Sequence, residues 1–531
     1  MRKLRVIALL LALMMTLGGC DLTQYFESGM GLVENVAYRD MVYTRPDMDA
    51  LEESLSAACA LAGSARSAGA VMDGVYGFYG QYDSFLTNWY LADIRYSGDL
   101  TDSHWEGEYN FCSENAPRLD AALEQLYRAL AVSPLRAQLE EEYFGEDFFV
   151  PYEGDNSAWD AHNRTLQEQE AKLENEYYSL ANEALSLEPY SEEYFQTFGP
   201  RMAALLAELV ALRQELASYL CYESYTQFAY DGYYYRDYTP EQAQAYLEEL
   251  GDALADRYAA LGETAAWDWS YTSCSREETF AYLKEAATAM GGTVKHAFDL
   301  LEEAELYDID YGPNKYNSSF ELYLWDYAEP FIFMNPCLDQ TDKLTFAHEF
   351  GHFANDYVCG GSYAGTDVAE VHSQAFEYLS LCYTANSEDL EAYKMADSLS
   401  TFTECAAYAL FEHRLYALEA PTAEEIAALY EETCREFGFG SWNWDSRDFV
   451  TVTHFFTEPM YMISYVVSND LALQFYQMEK KLPGRGLALY ERVLKSEDSY
   501  LLAFAESYGL ESPFTEGRPA ELAGIFDGNA P

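Results

Sequence analysis

The chain has 531 residues, with 31 Lys and Arg against 90 Asp and Glu, a net charge of −59 and an isoelectric point near 4.2. A surface this anionic repels nucleic-acid phosphates and anionic lipid headgroups, which argues against nucleic acid as a partner and against a basic membrane-surface role. Disorder does not fit either, because 49 % of the residues are hydrophobic and 16 % aromatic, enough apolar area to bury a core.

The first element is a leader. Arg2, Lys3 and Arg5 precede an apolar run from Val6 to Met15, too short to span a bilayer, and Leu17-Gly18-Gly19-Cys20 follows. The tetrapeptide resembles the lipobox of bacterial lipoproteins. It predicts cleavage after residue 19, a lipid on Cys20 and a membrane tether over residues 20–36, with the remaining chain held outside the cytoplasm. Nine further cysteines are scattered singly with no Cys-x-x-Cys pair, and their apolar neighbours suit small core residues rather than disulfides.

From residue 37 onward, Ala, Leu, Glu and Tyr recur at three-and-four spacing, as in RLDAALEQLYRAL (118–130) and RMAALLAELVALRQELASYL (201–220), which predicts packed amphipathic helices. Loops are expected at Pro134, 149–160, 188–194, 238–242 and 313–319. The tyrosine-rich stretch YDGYYYRDY (230–238) reads as aromatic packing between helices. One segment looks extended, EPFIFMN (329–335), a short apolar run bounded by Pro330 and Pro336. Its backbone is a candidate to pair edge-on with an extended peptide.

A helix follows, capped by Asp339 or Thr341 and running through DKLTFAHEFGHFAND to about Asp356. His348 and His352, four residues apart, project from one face and can grip a single metal ion, whereas Phe346, Phe350, Phe353 and Tyr357 lie on the roughly opposite, packing face. Zinc suits two imidazoles plus a carboxylate, with a fourth position left for water. Glu349 is too close in sequence to complete the ligand set but is placed to take a proton from that water, so it is the expected general base. The third ligand is expected from TDVAEVHSQAFEYLS (366–380), where Glu370 and Glu377 share a helix face. Glu370, 18 residues beyond His352, is the favoured ligand, and Glu377 the carboxylate that orients a histidine; the reverse assignment stays open. His372 points away from that face.

PFIFMNPCLDQTDKLTFAHEFGHFAND followed by AEVHSQAFEYLS resembles the catalytic core of the oligoendopeptidase F and thimet oligopeptidase family of zinc peptidases. LVALRQELASYLCYESYTQFAYDGYYYRDYTPEQAQAYLEEL (209–250) is similar to that family's arginine-containing helix and tyrosine-rich segment, and THFFTEPMYMISYVVSNDLALQFY (453–476) to its His-aromatic-Tyr segment. Two departures stand out: a shorter interval between His352 and Glu370, and YNSSFELYLWDY (316–327) in place of a glycine-rich stretch. The resemblance implies a mainly α, two-lobed zincin-like fold with a small β-sheet beside the zinc helix and a deep substrate channel. The lobes would divide near residue 225, 37–225 mainly N-terminal and 226–531 mainly catalytic. It implies one Zn2+ per chain, short unstructured peptides as substrates, endopeptidase action, and oxyanion-stabilising roles for His454, Tyr461 and Tyr465. A lipoprotein that captures peptides without turnover and a dipeptidyl-carboxypeptidase-like enzyme are the alternatives. The net charge predicts that cationic peptides are preferred at low salt.

Overall fold

The computed structural model describes residues 36–531 apart from 146, 154–156, 185–186, 188–189, 263–264, 362–364, 443, 497 and 530–531. The leader, Cys20 and most of the expected tether lie outside the described residues. The chain is 72 % helical with one small sheet. Among the described residues no helix is long and apolar enough to cross a membrane.

Helices α1 (Met48–Ser64), α2 (Ala68–Gly98) and α3 (Ser103–Ala131) begin at Asp47, Ser67 and Asp102, whose side chains accept hydrogen bonds from the first free backbone N–H groups. They bury an apolar core of their own, from Leu51 and Leu55 through Val75, Phe78 and Leu126 to Tyr152. The other long helices share a second, larger core: α4 (Ser157–Ala184), α5 (Gly199–Tyr219), α6 (Pro240–Leu261), α7 (Arg276–Met290) and α8 (Gly292–Glu303). Thr239 and Ser275 start α6 and α7 with reciprocal capping boxes to Gln242 and Glu278.

Three strands form the sheet, β1 (Tyr307–Asp308), β2 (Ser319–Leu324) and β3 (Glu329–Met334), in the order β1-β3-β2. β3 is parallel to β1, with Tyr307 opposite Ile332, and antiparallel to β2, with Phe320 opposite Phe333. This corrects the expectation for EPFIFMN. Every β3 residue from Glu329 to Met334 is buried, and the strand is hydrogen-bonded on both sides, so it cannot take up a peptide; the outer strands are β1, of 2 residues, and β2, of 6.

Four further helices belong to the larger core: α9 (Asp342–Cys359), α10 (Thr366–Cys382), α11 (Glu388–Leu415) and α12 (Met462–Lys481). Phe346, Phe350 and Phe353 of α9 are fully buried, whereas Tyr357 is 37 % exposed, because it lies in the last turn beyond the reach of the neighbouring helices. At the start of α9, Asp339 accepts the Thr341 N–H at 2.9 Å, and the Asp342 carboxylate accepts the N–H groups of Cys337 and Leu338 at 2.8 Å each. None of the nine described cysteines is joined in a disulfide.

The tyrosine-rich stretch packs as expected. Tyr230, Tyr234 and Tyr238 are buried around Arg236, whose guanidinium lies 4.6, 4.3 and 5.9 Å from the three ring centres.

Candidate metal centre and active site

α9 places His348 and His352 one turn apart, with ring centres 5.1 Å from each other. The helix ends at Gly360, which is left-handed at φ 69°, and the chain returns antiparallel as α10. α9 and α10 touch backbone to backbone: a Cβ built on Gly351 would stand 2.5 Å from Ser373 Cα and 2.8 Å from the His372 carbonyl. Only glycine permits that approach, and the approach brings Glu370 over the histidines. One ligand atom from each of His348, His352 and Glu370 lies within 4.8 Å of the others, and His348 Nε2 stands 3.4 Å from Glu370 Oε2.

This donor set fits zinc on its own chemistry. His348 Nδ1 is hydrogen-bonded at 2.8 Å to Glu377 Oε1, which places a proton on Nδ1 and turns Nε2, the nitrogen free to ligate a metal once its proton is released, toward Glu370. Glu377 is itself held at 2.7 Å by Lys394 of α11. The structure therefore brings Glu370 to the histidine pair and sets Glu377 behind it. Burial disfavours charge on His348, yet Glu370 and Glu377 outweigh it and push the imidazole up to about 9. Burial drives His352 down to about 3, helped by the charge on His348. Burial also opposes the charge on Glu377, but Lys394 and His348 hold its carboxyl below the usual range. A concentration of negative charge around two imidazoles is what a divalent cation would neutralise.

Glu349 is 6 % exposed, and burial pushes it up to about 7 against the opposing effects of His348 and the Ser319 hydroxyl. Ser319 Oγ, on the first residue of β2, donates to Glu349 Oε1 at 2.8 Å. Sequence reasoning missed this serine, because its 30-residue separation from Glu349 carries no periodic signal. Lys394 was missed for the same reason. Ser373, at i+3 from Glu370, donates to Glu370 Oε2 at 3.1 Å and was legible as part of the same helix face.

The segment 454–465 lies on the far side of Glu370. Tyr461 Oη donates to Glu370 Oε1 at 2.8 Å, and Tyr465 Oη stands 3.4 Å from His454 Nε2. All three rings pack together, with centres 5.1 to 5.9 Å apart. Burial and the Glu370 carboxylate raise both tyrosines well above their ordinary range, so both stay protonated donors. Burial lowers His454. Two fully buried arginines fix the backbone here: Arg213 donates to the carbonyls of Phe455 and Phe456, and Arg236 to those of Met460 and to Ser464 Oγ. His372 takes no part; it is buried against Phe504, and its carbonyl accepts the Tyr490 hydroxyl at 3.0 Å.

Residues 38–155 match the model of the Peptidase M3 N-terminal domain. Among solved structures, PZ peptidase A with an inhibitor superposes with a TM-score of 0.79 at 19 % identity, over 92 % of this chain and 98 % of that one. A chain provisionally named oligoendopeptidase F gives 0.79 at 20 % identity, over 93 % and 98 %. Another provisionally so named, from Bacillus anthracis str. Ames, gives 0.75 at 19 %, over 93 % and 98 %. These similarities show that the fold is the M3 oligopeptidase-like one. No protein of curated function matches the sequence.

Proposed function

We propose that this chain is a zinc metallopeptidase of the oligoendopeptidase type, cutting short unstructured peptides. The observation that carries the proposal is the convergence of His348, His352 and Glu370 from two helices, with the carboxylate of Glu349 beside them and held by Ser319. A pure binding protein has no use for a buried carboxylate next to its metal ligands.

His348, His352 and Glu370 would hold the ion, which when bound supplies a Lewis acid and an acidified water. Glu349 takes the proton from the attacking water and returns it to the leaving amine; a carboxyl moved up toward neutrality suits both transfers. Ser319 fixes the orientation of that carboxylate. Tyr465 and His454 present O–H and N–H groups to the side of the site where negative charge develops on the carbonyl oxygen, and Tyr461, whose one hydroxyl proton is given to Glu370, joins them only by exchanging that bond for one to the oxyanion. Tyr461 also steadies Glu370. The outer edge of β2, which begins at Ser319, gives an extended peptide a place to hydrogen-bond beside the base.

Replacing Glu349 by Gln is expected to reduce turnover of a quenched peptide by at least about a thousandfold while zinc content stays at one per chain. Residual turnover near the wild-type rate would overturn the mechanism. Location outside the cytoplasm on a lipid anchor at Cys20 belongs to the same proposal and is supported by the leader sequence alone. Cys20→Ala should move the protein from the membrane to the soluble fraction of the producing cells, and unchanged partition would refute the anchor.

A further inference from the structure

Between α3, α4 and the end of α5 lies a cavity of about 540 Å³, closed on its inner side by Tyr225, Phe228 and Tyr233 and by Thr457 and Pro459. Thr457 and Pro459 flank Glu458, whose carboxylate stands 3.4 Å from His454 Nε2, and Tyr461 two residues further on bonds Glu370. The cavity thus adjoins the segment that faces the metal centre.

Its walls are rich in acceptors. Six carboxylates line it against the two cations Arg164 and Lys172. Three of the six have partners: Glu124 pairs with Arg128, and Glu170 and Glu174 with Arg213. Glu114, Asp120 and Glu168 make no hydrogen bond or ion pair among the described residues. A second, independent feature points the same way. Asn163 lines the cavity with only 5 % of its surface exposed, and its Oδ1 meets no donor among the described residues. A buried acceptor without a donor is costly and marks this wall as short of donors. The aromatic floor of Tyr225, Phe228 and Tyr233 suits the aliphatic stem and flat or compact cationic head of Arg or Lys.

We infer that this cavity is a subsite for a Lys or Arg side chain of the peptide, so that the substrates are peptides carrying a basic residue away from the scissile bond. The inference rests on the peptidase reading above and gives it a substrate class. Asp120 and Glu168 supply the charge.

The test uses the full chain, loaded with zinc, and quenched nonapeptides that differ only by Lys, Gln or Glu at each position in turn. The expected result is a kcat/KM for Lys about tenfold above Gln, and lower still for Glu, at one or two positions, with the ratio shrinking as salt rises. In the double variant Asp120→Asn, Glu168→Gln the Lys-to-Gln ratio should fall toward one, whatever the absolute rates. Glu277→Gln, an exposed carboxylate on α7, should keep the wild-type ratio. Equal ratios in the wild type and the double variant would overturn the subsite. The same peptides are titrated by fluorescence anisotropy against Glu349→Gln enzyme, so the charge preference is read without turnover. If no peptide is cut but the anisotropy ranks Lys above Gln above Glu, the peptidase reading fails and the subsite stands. If peptides are cut with no rank order, the reverse holds.

Discussion

Ser319, Glu377 and Lys394 show how few atoms decide what the helix carrying His348 and His352 can do. Ser319 donates 2.8 Å to Glu349, and Glu377 holds His348 Nδ1 while Lys394 holds Glu377. Each of these groups acts on a residue that was legible in the sequence, yet two of the three were not legible themselves. His348, Glu349 and His352 announce themselves because their chemistry follows from adjacency on one helix. Ser319 and Lys394 reach the site from a strand and a helix far away in sequence, so nothing in local spacing marks them. Ser319→Ala frees the Glu349 carboxylate to rotate, and the expected outcome is a fall in kcat of about tenfold with KM within twofold and unchanged zinc content. Recovery of much of that loss in Ser319→Thr, which keeps the hydroxyl, would separate orientation of the base from mere disturbance of the strand.

Helix α9 and helix α10 function as a pair, and their separation is set by Gly351. The site needs Glu370 within reach of two imidazoles on another helix, which requires the backbones to come closer than side chains normally allow. Gly351→Ala places a methyl carbon 2.5 Å from Ser373 Cα, where no side-chain rotation can relieve it. The helices must move apart, at a cost of about 1–3 kcal/mol. The expected outcome is a lower melting temperature together with zinc affinity reduced by at least tenfold, measured by competition with a chromogenic chelator. Zinc affinity unchanged beside a lowered melting temperature would show that Glu370 does not depend on this contact. The 454–465 segment is held in an analogous way from the opposite side. Arg213 and Arg236 satisfy its carbonyls, and Glu412 accepts the Met460 N–H at 2.8 Å. The sequence reading treated the tyrosine-rich stretch as packing, and its rings do pack; their further role as a sheath for Arg236 emerges only when this stretch is set against Met460 and Ser464 at the start of α12. The strand EPFIFMN was recognisable from its apolar run, but whether it forms an edge or a centre depends on β1 and β2, two short strands with weak patterns.

For the molecule as a whole, the excess of acid has a consequence for stability. Burial pushes Asp93 up to about 6, Asp83 and Glu329 to about 7, and Glu412 to about 8, each above its unfolded value. A carboxyl whose folded pKa is raised stabilises the fold fully below its unfolded pKa, and that contribution disappears as pH rises through the folded value. Glu108 acts in the opposite sense: hydrogen bonds from Arg45 hold it down to about 2, so its contribution is present above about 4.5 and lost in acid. Stability is therefore expected to peak near pH 5 and to fall between about pH 5 and pH 8, read as the melting temperature of zinc-loaded protein. Glu412→Gln should flatten the upper part of that fall; a melting temperature that rises from pH 5 to pH 8 would contradict the assignment. Mutual repulsion among 90 acidic side chains adds to the same trend and is reduced by salt, so the experiment is run at fixed ionic strength.

What the sequence determined alone is whatever repeats within a few residues. The helical periodicity marks a mainly α chain, and the four-residue interval in His348-Glu349-Phe350-Gly351-His352 puts two imidazoles and a carboxylate on one turn, since helix geometry is local. Tertiary structure decided the rest: which of Glu370 and Glu377 meets the histidines and which stands behind them, that β2 and not β3 is an outer strand of the sheet, and where the acidic cavity opens. These depend on contacts between elements separated by tens to hundreds of residues. Only packing fixes such contacts, because no backbone period connects their ends.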